Sequence, residues 1–145
     1  MNPKIAYICG SSAWGGLEMN QLRNAIWMKE RGHSVTIYCP STSPLYENAL
    51  QQGISVRAIA KHKNHFDIPN AWKLYHLLNK DRITHLIVRA TSDMSIAASV
   101  KAWMGKKLHL SYFMEMQLPT NKKQWYRTLR FHYFDLWSCP LPYLA

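Results

Sequence analysis

Acidic side chains are scarce in this chain: 8 Asp and Glu stand against 18 Lys and Arg, a formal net charge of +10. A field of that sign suits nucleic acid, an anionic membrane face or phosphorylated substrates, and equally a plain solvated basic surface. The deficit is deepest between Lys101 and His132, where Lys101, Lys106, Lys107, Lys122, Lys123, Arg127 and Arg130 face the single acid Glu115. Cysteine is also sparse. Cys9, Cys39 and Cys139 are far apart and odd in number, which argues against a disulfide framework and fits free thiols in a reducing cytoplasm. No apolar run approaches the ~20 residues of a membrane helix, and the short apolar segment after Lys4 has no cleavage site, so no signal peptide is expected. Internal repeats and low-complexity tracts are missing, and 48% of residues are hydrophobic, as in a single globular domain with a real core.

Several named motifs are missing too. Gly15-Gly16 is followed by Leu17-Glu18 rather than the Lys-[Ser/Thr] of a Walker loop. Ser12 stands where the second glycine of a dinucleotide fingerprint belongs, and the second strand ends at Tyr38-Cys39-Pro40 without a ribose-binding acid, against a nucleotide-binding oxidoreductase. Ser11 and Ser12 have no G-x-S-x-G elbow around them, against a hydrolase. His62-x-x-His65 has only Asp67 nearby and reads as part of a basic solvated loop, so no metal site is expected.

What the chain does have is a repeating strand–helix alternation, set by its first stretch. Lys4 to Cys9 is an apolar run without helical spacing and reads as a buried strand; Gly10 breaks it, and Ser11, Ser12, Gly15 and Gly16 make a loop before a helix from Leu17 to Arg31. Such a strand–glycine loop–helix presents backbone N–H groups to an anion, with glycine allowing positive φ and close approach of a ligand. The helix has Met19, Leu22, Ala25 and Ile26 as its apolar face and Gly32 as its stop. Val35 to Tyr38 is a second strand. A short helix from Pro44 has Tyr46, Ala49 and Leu50 on one side, and Ile54 to Ile59 is a third strand. Asn70 is placed to cap a helix with face Ala71, Leu74, Tyr75 and Leu78. Thr84 to Val88 is a fourth strand, followed by the polar connection Arg89 to Asp93, with Ser92 or Asp93 as an N-cap. A helix bearing Ile96, Ala97, Val100 and Met104 follows, then a fifth strand from Leu108 to Phe113. Met114 to Lys123 reads as a loop, Gln124 to Phe134 as a basic-aromatic helix, and Asp135 to Cys139 as a short sixth strand. Pro140 to Ala145 looks like the entry to a further helix, too short to nucleate alone.

This alternation predicts a doubly wound, mostly parallel α/β sheet, Rossmann-like, in three α/β/α layers. Ligands bind such sheets at the carboxyl ends of the strands, near the switch in strand order. Gly10 to Gly16, Arg89 to Asp93 and Met114 to Lys123 all fall at that edge.

In motif order the chain resembles the N-terminal, acceptor-side half of GT-B fold glycosyltransferases, specifically family 4 of retaining bacterial enzymes. The residues that carry the resemblance are the KIAYIC strand with Gly15-Gly16-Leu17-Glu18, then Arg31-Gly32-His33-Ser34-Val35-Thr36-Ile37 and Gly53-Ile54-Ser55-Val56. Met116-Gln117-Leu118 with Lys122-Lys123, Phe134-Asp135-Leu136-Trp137 and Pro140-Leu141 resemble a bacterial subgroup. The resemblance implies hexosyl transfer from a nucleotide sugar to a cell-envelope glycan or lipid-linked acceptor, without a metal or other cofactor and without nucleic acid. It implies that Gly15, Gly16 and Glu18 lie beside the donor phosphates and sugar, although Glu18 at a helix start also suits the helix dipole. Arg89, Asp93, Glu115 and Gln117 would face the acceptor. Lys122, Lys123, Arg127 and Arg130, interleaved with aromatics, would suit a membrane surface or phosphorylated carrier, and equally the basic outer face of a core helix. The implied location is cytoplasmic, peripheral to the inner face of a bacterial membrane.

Two departures qualify this. The family's donor-binding domain with its paired glutamates has no counterpart in these residues, so the chain alone is expected not to catalyse transfer. Some relatives carry a His after the fourth strand, where this chain has Arg89-Ala90-Thr91. The other reading is a non-catalytic module docking to anionic membrane or phosphorylated ligands.

Overall fold

Among the described residues six strands, all parallel, pair in the order β3 (Ser55–Ala58), β2 (Ser34–Cys39), β1 (Lys4–Ile8), β4 (His85–Val88), β5 (His109–Phe113), β6 (Leu136–Ser138). The computed structural model describes residues 3–60, 67–113 and 133–138. In chain order the elements are β1 (Lys4–Ile8), α1 (Gly16–Glu30), β2 (Ser34–Cys39), α2 (Pro44–Gln51), β3 (Ser55–Ala58), α3 (Ile68–Lys80), β4 (His85–Val88), α4 (Met94–Met104), β5 (His109–Phe113) and β6 (Leu136–Ser138). The order reverses between β1 and β4, the topological switch at which doubly wound sheets hold ligands.

Among the described residues, each face of the sheet is covered by two helices. Ile5, Tyr7, Cys9, Val35, Ile37 and Ile87 point to the layer of α1 and α2, where Leu22, Ala25, Leu45 and Ala49 close the core. Ala6, Ile8, Tyr38, Leu86 and Val88 alternate to the other face, under Leu74 and Leu78 of α3 and Val100 of α4. Central strands buried on both sides read as continuous apolar runs, which is why KIAYIC and HLIV have no polar alternation.

The differences from the sequence reading lie in the helix faces and starts. α1 buries Glu18, Gln21, Leu22 and Ala25, while Met19 is exposed. α2 buries Leu45 and Ala49 and leaves Leu50 exposed. α3 starts before Asn70, with Asp67 as its cap: Asp67 Oδ1 accepts from the Asn70 N–H and Oδ2 from Asn70 Nδ2 at 2.7 Å. Pro69 belongs to that first turn, where its missing N–H costs nothing. Strands β3, β4 and β5 are each a residue or two shorter than their apolar runs. The expected helix from Gln124 lies outside the described residues, except that Phe134 is buried edge-on against Tyr112, ring centroids 5.9 Å apart.

Candidate functional site

The carboxyl ends of β1 and β4 bring two of the three expected polar connections together. Gly10, two residues beyond β1, donates its N–H to Asp93 Oδ1 at 3.1 Å, across 83 residues of sequence. Asp93 closes the short 3-10 turn Thr91–Asp93 that leads into α4. Its side chain therefore ties one loop to the other instead of capping its own helix. Beside it, Cys9 N–H donates to the Tyr38 carbonyl, and Gln21 Nε2, 1% exposed, donates to the Ile8 carbonyl at 3.1 Å. Gln21 thus pins the first turns of α1 to the end of β1.

Within the glycine loop, Ser11 Oγ accepts from Ala13 N–H, and Gly15 N–H donates to Glu18 Oε2 at 3.0 Å. Glu18 is buried, so its carboxylate reaches back over the helix start as the acidic half of a capping box. Gly15 is extended, at φ −138, and Gly16 is helical, so neither needs the left-handed region. Their small size matters differently. A Cβ on Gly16 would meet nothing within 4 Å, so the helix start is open on that side. Helix geometry leaves the N–H groups of Gly16 and Leu17 without intrahelical partners, at the positive end of the helix dipole. Chemically, the arrangement offers anion capture by backbone amides, tempered by one resident carboxylate.

The two buried thiols near this edge are not nucleophiles. Burial, with Asp93 nearby, pushes Cys9 up to about 12, and burial pushes Cys39 up to about 11, so both are protonated and free. Among the described residues no three His, Cys, Asp or Glu side chains gather as a metal would require, and His62 and His65 lie outside those residues.

Of the residues singled out in the sequence, Gly15, Gly16 and Glu18 form one helix start, and Asp93 joins them through Gly10. Arg89 and Asp93 are 8% and 1% exposed, so their side chains shape the edge from beneath. Arg89 lies beside Tyr7; desolvation lowers its pKa, and the Tyr7 phenol partly opposes that. Glu115, Gln117, Lys122, Lys123, Arg127 and Arg130 fall outside the described residues. Sequence reasoning missed Gln21 and also Trp14, which stands exposed in the glycine loop and borders a shallow cavity of about 260 Å³ with Arg23 and Trp27. A polar residue on the face between Glu18 and Leu22 was the only available signal for Gln21.

No protein-family model matches the chain, and no curated protein matches it in sequence. Solved structures do match in fold. MurG of Acinetobacter baumannii superposes with a TM-score of 0.74 at 9% identity, over 99% of this chain and 43% of that one. A glycosyltransferase of Rickettsia africae ESF-5 superposes with a TM-score of 0.66 at 13% identity, over 82% of this chain and 32% of that one. The chain thus spans less than half the length of either, and at such identities what is shared is the fold.

Proposed function

We propose that this chain forms the acceptor-side wall of a sugar-transfer cleft of the GT-B type, the family-4 kind that the sequence resembles. Its donor is a nucleotide sugar and its acceptor a cell-envelope glycan or lipid-linked carrier; transfer needs no metal. A second α/β domain, in the same or another chain, supplies the donor nucleotide site. The observation that carries this reading is the Gly10–Asp93 hydrogen bond, which fuses the loops after β1 and β4 into one surface at the sheet's switch point. Above that surface the start of α1 leaves an open, amide-lined approach for a donor phosphate. Glu18 orders this turn through Gly15, while Arg89, Glu115 and Gln117 belong to the acceptor side.

Amide NMR with uridine and guanosine diphosphate sugars tests it. We expect weak, saturable shifts confined to 10–18 and 89–93. Gly16→Ala is expected to keep or slightly raise stability, by up to about 1 kcal/mol, because alanine is the better helix former. The same change should weaken the donor response at least several-fold, because its methyl fills the open approach. Shifts elsewhere only, or a Gly16→Ala variant that binds as well as wild type, would overturn the assignment.

A second reading, docking to an anionic membrane, is favoured by one observation. Trp72 and Trp103 are 51% and 38% exposed and meet edge-on at 5.5 Å on the outer side of α3 and α4, with Tyr75 stacked at 5.5 Å. Exposed indoles with an apolar body and one N–H suit a lipid headgroup layer. No described helix is long and apolar enough to cross a membrane. The two readings are compatible if the acceptor is lipid-linked.

A further inference from the structure

A cavity of about 630 Å³ opens at the opposite, amino-terminal edge of the sheet. It exists because β3 is short: β2 starts at Ser34, but its pairing with β3 starts only at Thr36 with Ser55, leaving a notch. Lys4, Arg57, Lys80 and Arg82 line it, with Asp81 as the one carboxylate. That carboxylate is already engaged. Arg57 Nη2 reaches Asp81 Oδ1 at 2.7 Å, and Arg57 Nε and the Tyr38 hydroxyl donate to Oδ2 at 3.1 and 2.6 Å. Lys4, Lys80 and Arg82 therefore give the notch an excess of positive charge.

Arg82 carries a second, independent observation. It is the one non-glycine residue with positive φ among the described residues, at φ 56. The turn it occupies recurs after two other helices. Gly32 N–H bonds Lys29 O and His33 N–H bonds Met28 O; Gly53 and Ile54 bond Leu50 O and Ala49 O; Arg82 and Ile83 bond Asn79 O and Leu78 O. All three are Schellman caps, whose left-handed position favours glycine. The first two have glycine there, at φ 88 and 72. After α3 the chain instead holds a long cation in strained backbone, and that cation lines the notch.

We infer that this notch binds a phosphorylated small molecule, with Lys4, Lys80 and Arg82 on its phosphate oxygens. Strain kept at a ligand-facing residue is a mark of function. The volume falls in the range of small-ligand sites, and Lys4, Lys80 and Arg82 line the same notch. Tyr46 and Leu50 of α2, with Ile83, give an apolar wall for an organic portion. The site is independent of the glycine-loop edge.

Calorimetry and amide NMR of the 145-residue chain with inorganic pyrophosphate, then adenosine diphosphate, at constant ionic strength, test it. We expect 1:1 binding with shifts at 80–83. Arg82→Gly should weaken binding at least tenfold while raising the denaturation midpoint, so lost binding cannot be ascribed to misfolding. Lys4→Gln/Lys80→Gln should weaken it comparably. Lys106→Gln/Lys107→Gln, exposed and outside the notch, removes the same charge and should leave binding intact. No saturable binding, equal weakening in the Lys106/Lys107 variant, shifts at 10–18 instead, or full binding by Arg82→Gly would each overturn the inference.

Discussion

Asp81 shows how one side chain couples distant parts of the sequence. It terminates α3, yet its donors come from β2 and β3. Burial raises its pKa, but the hydrogen bonds from Tyr38 and Arg57 and the Arg57 charge outweigh that and leave it below the usual carboxylate value. Burial and the same contact push the Tyr38 phenol up. A carboxyl with a depressed folded pKa stabilises the fold fully above its unfolded value, about 3.9, and loses that contribution as pH falls through the lower folded one. Asp135, which accepts from the Leu110 N–H at 2.8 Å and pairs with Lys101 at 3.0 Å, acts with the same sign. Asp81→Asn is therefore expected to cost on the order of 1–2 kcal/mol near neutral pH, kept modest because Arg57 is 47% exposed. Urea midpoints measured from pH ~7 to ~3 should show the gap to wild type closing below about pH 4. A gap that stays constant across that range would remove Asp81 titration as its cause.

Among the elements, the starts of α1 and α4 matter most, because they position the candidate site. Glu18 and Gln21 make α1 a helix with two polar residues on its buried face, each satisfied by backbone at the end of β1 or the loop behind it. Asp93 does the equivalent for α4, with Gly10 as its donor. Asp93→Ala is expected to expose the Gly10 amide, speeding its hydrogen exchange at least tenfold, and to cost about 1–3 kcal/mol for the donor left unsatisfied. Asp93→Asn keeps the acceptor and should retain most of the protection. If Gly10 exchanges equally in both variants, the bond does not hold the loops together. Gln21 and the link from Asp93 to Gly10 were not legible in sequence. A lone Gln on a helix looks like a solvent residue until the neighbouring carbonyl is in place. The apolar positions on the buried faces of α3 and α4 were legible, since Ala71, Leu74 and Leu78, and Ile96, Ala97 and Val100, follow the helical period.

For the whole molecule the issue is which surfaces meet partners. The shallow cavity at Trp14, the cationic notch and the aromatic cluster lie on different parts of the molecule: along α1, at the amino-terminal edge of the sheet, and on the outside of α3 and α4. Membrane docking is checked by flotation with vesicles containing phosphatidylglycerol. Neutralising Lys122, Lys123, Arg127 and Arg130 together should remove the salt-sensitive part of binding, and Trp72→Ala/Trp103→Ala the part that persists at high salt. Wild-type chain that stays with the unbound fraction at low salt would exclude this reading.

By itself the sequence determined the alternation of strands and helices, hence the parallel sheet, its two-sided core and the edge that gathers the glycine loop and the Arg89–Asp93 connection. Apolar runs and helical periods report burial directly, and crossover connections have one hand. The tertiary structure alone decided what the polar residues do. Glu18 caps through Gly15, Asp93 reaches back to Gly10, and Arg82 occupies a glycine's conformation beside three other cations. The roles of Asp93 and Arg82 depend on a partner far away in sequence or on a backbone angle, and residue spacing encodes neither.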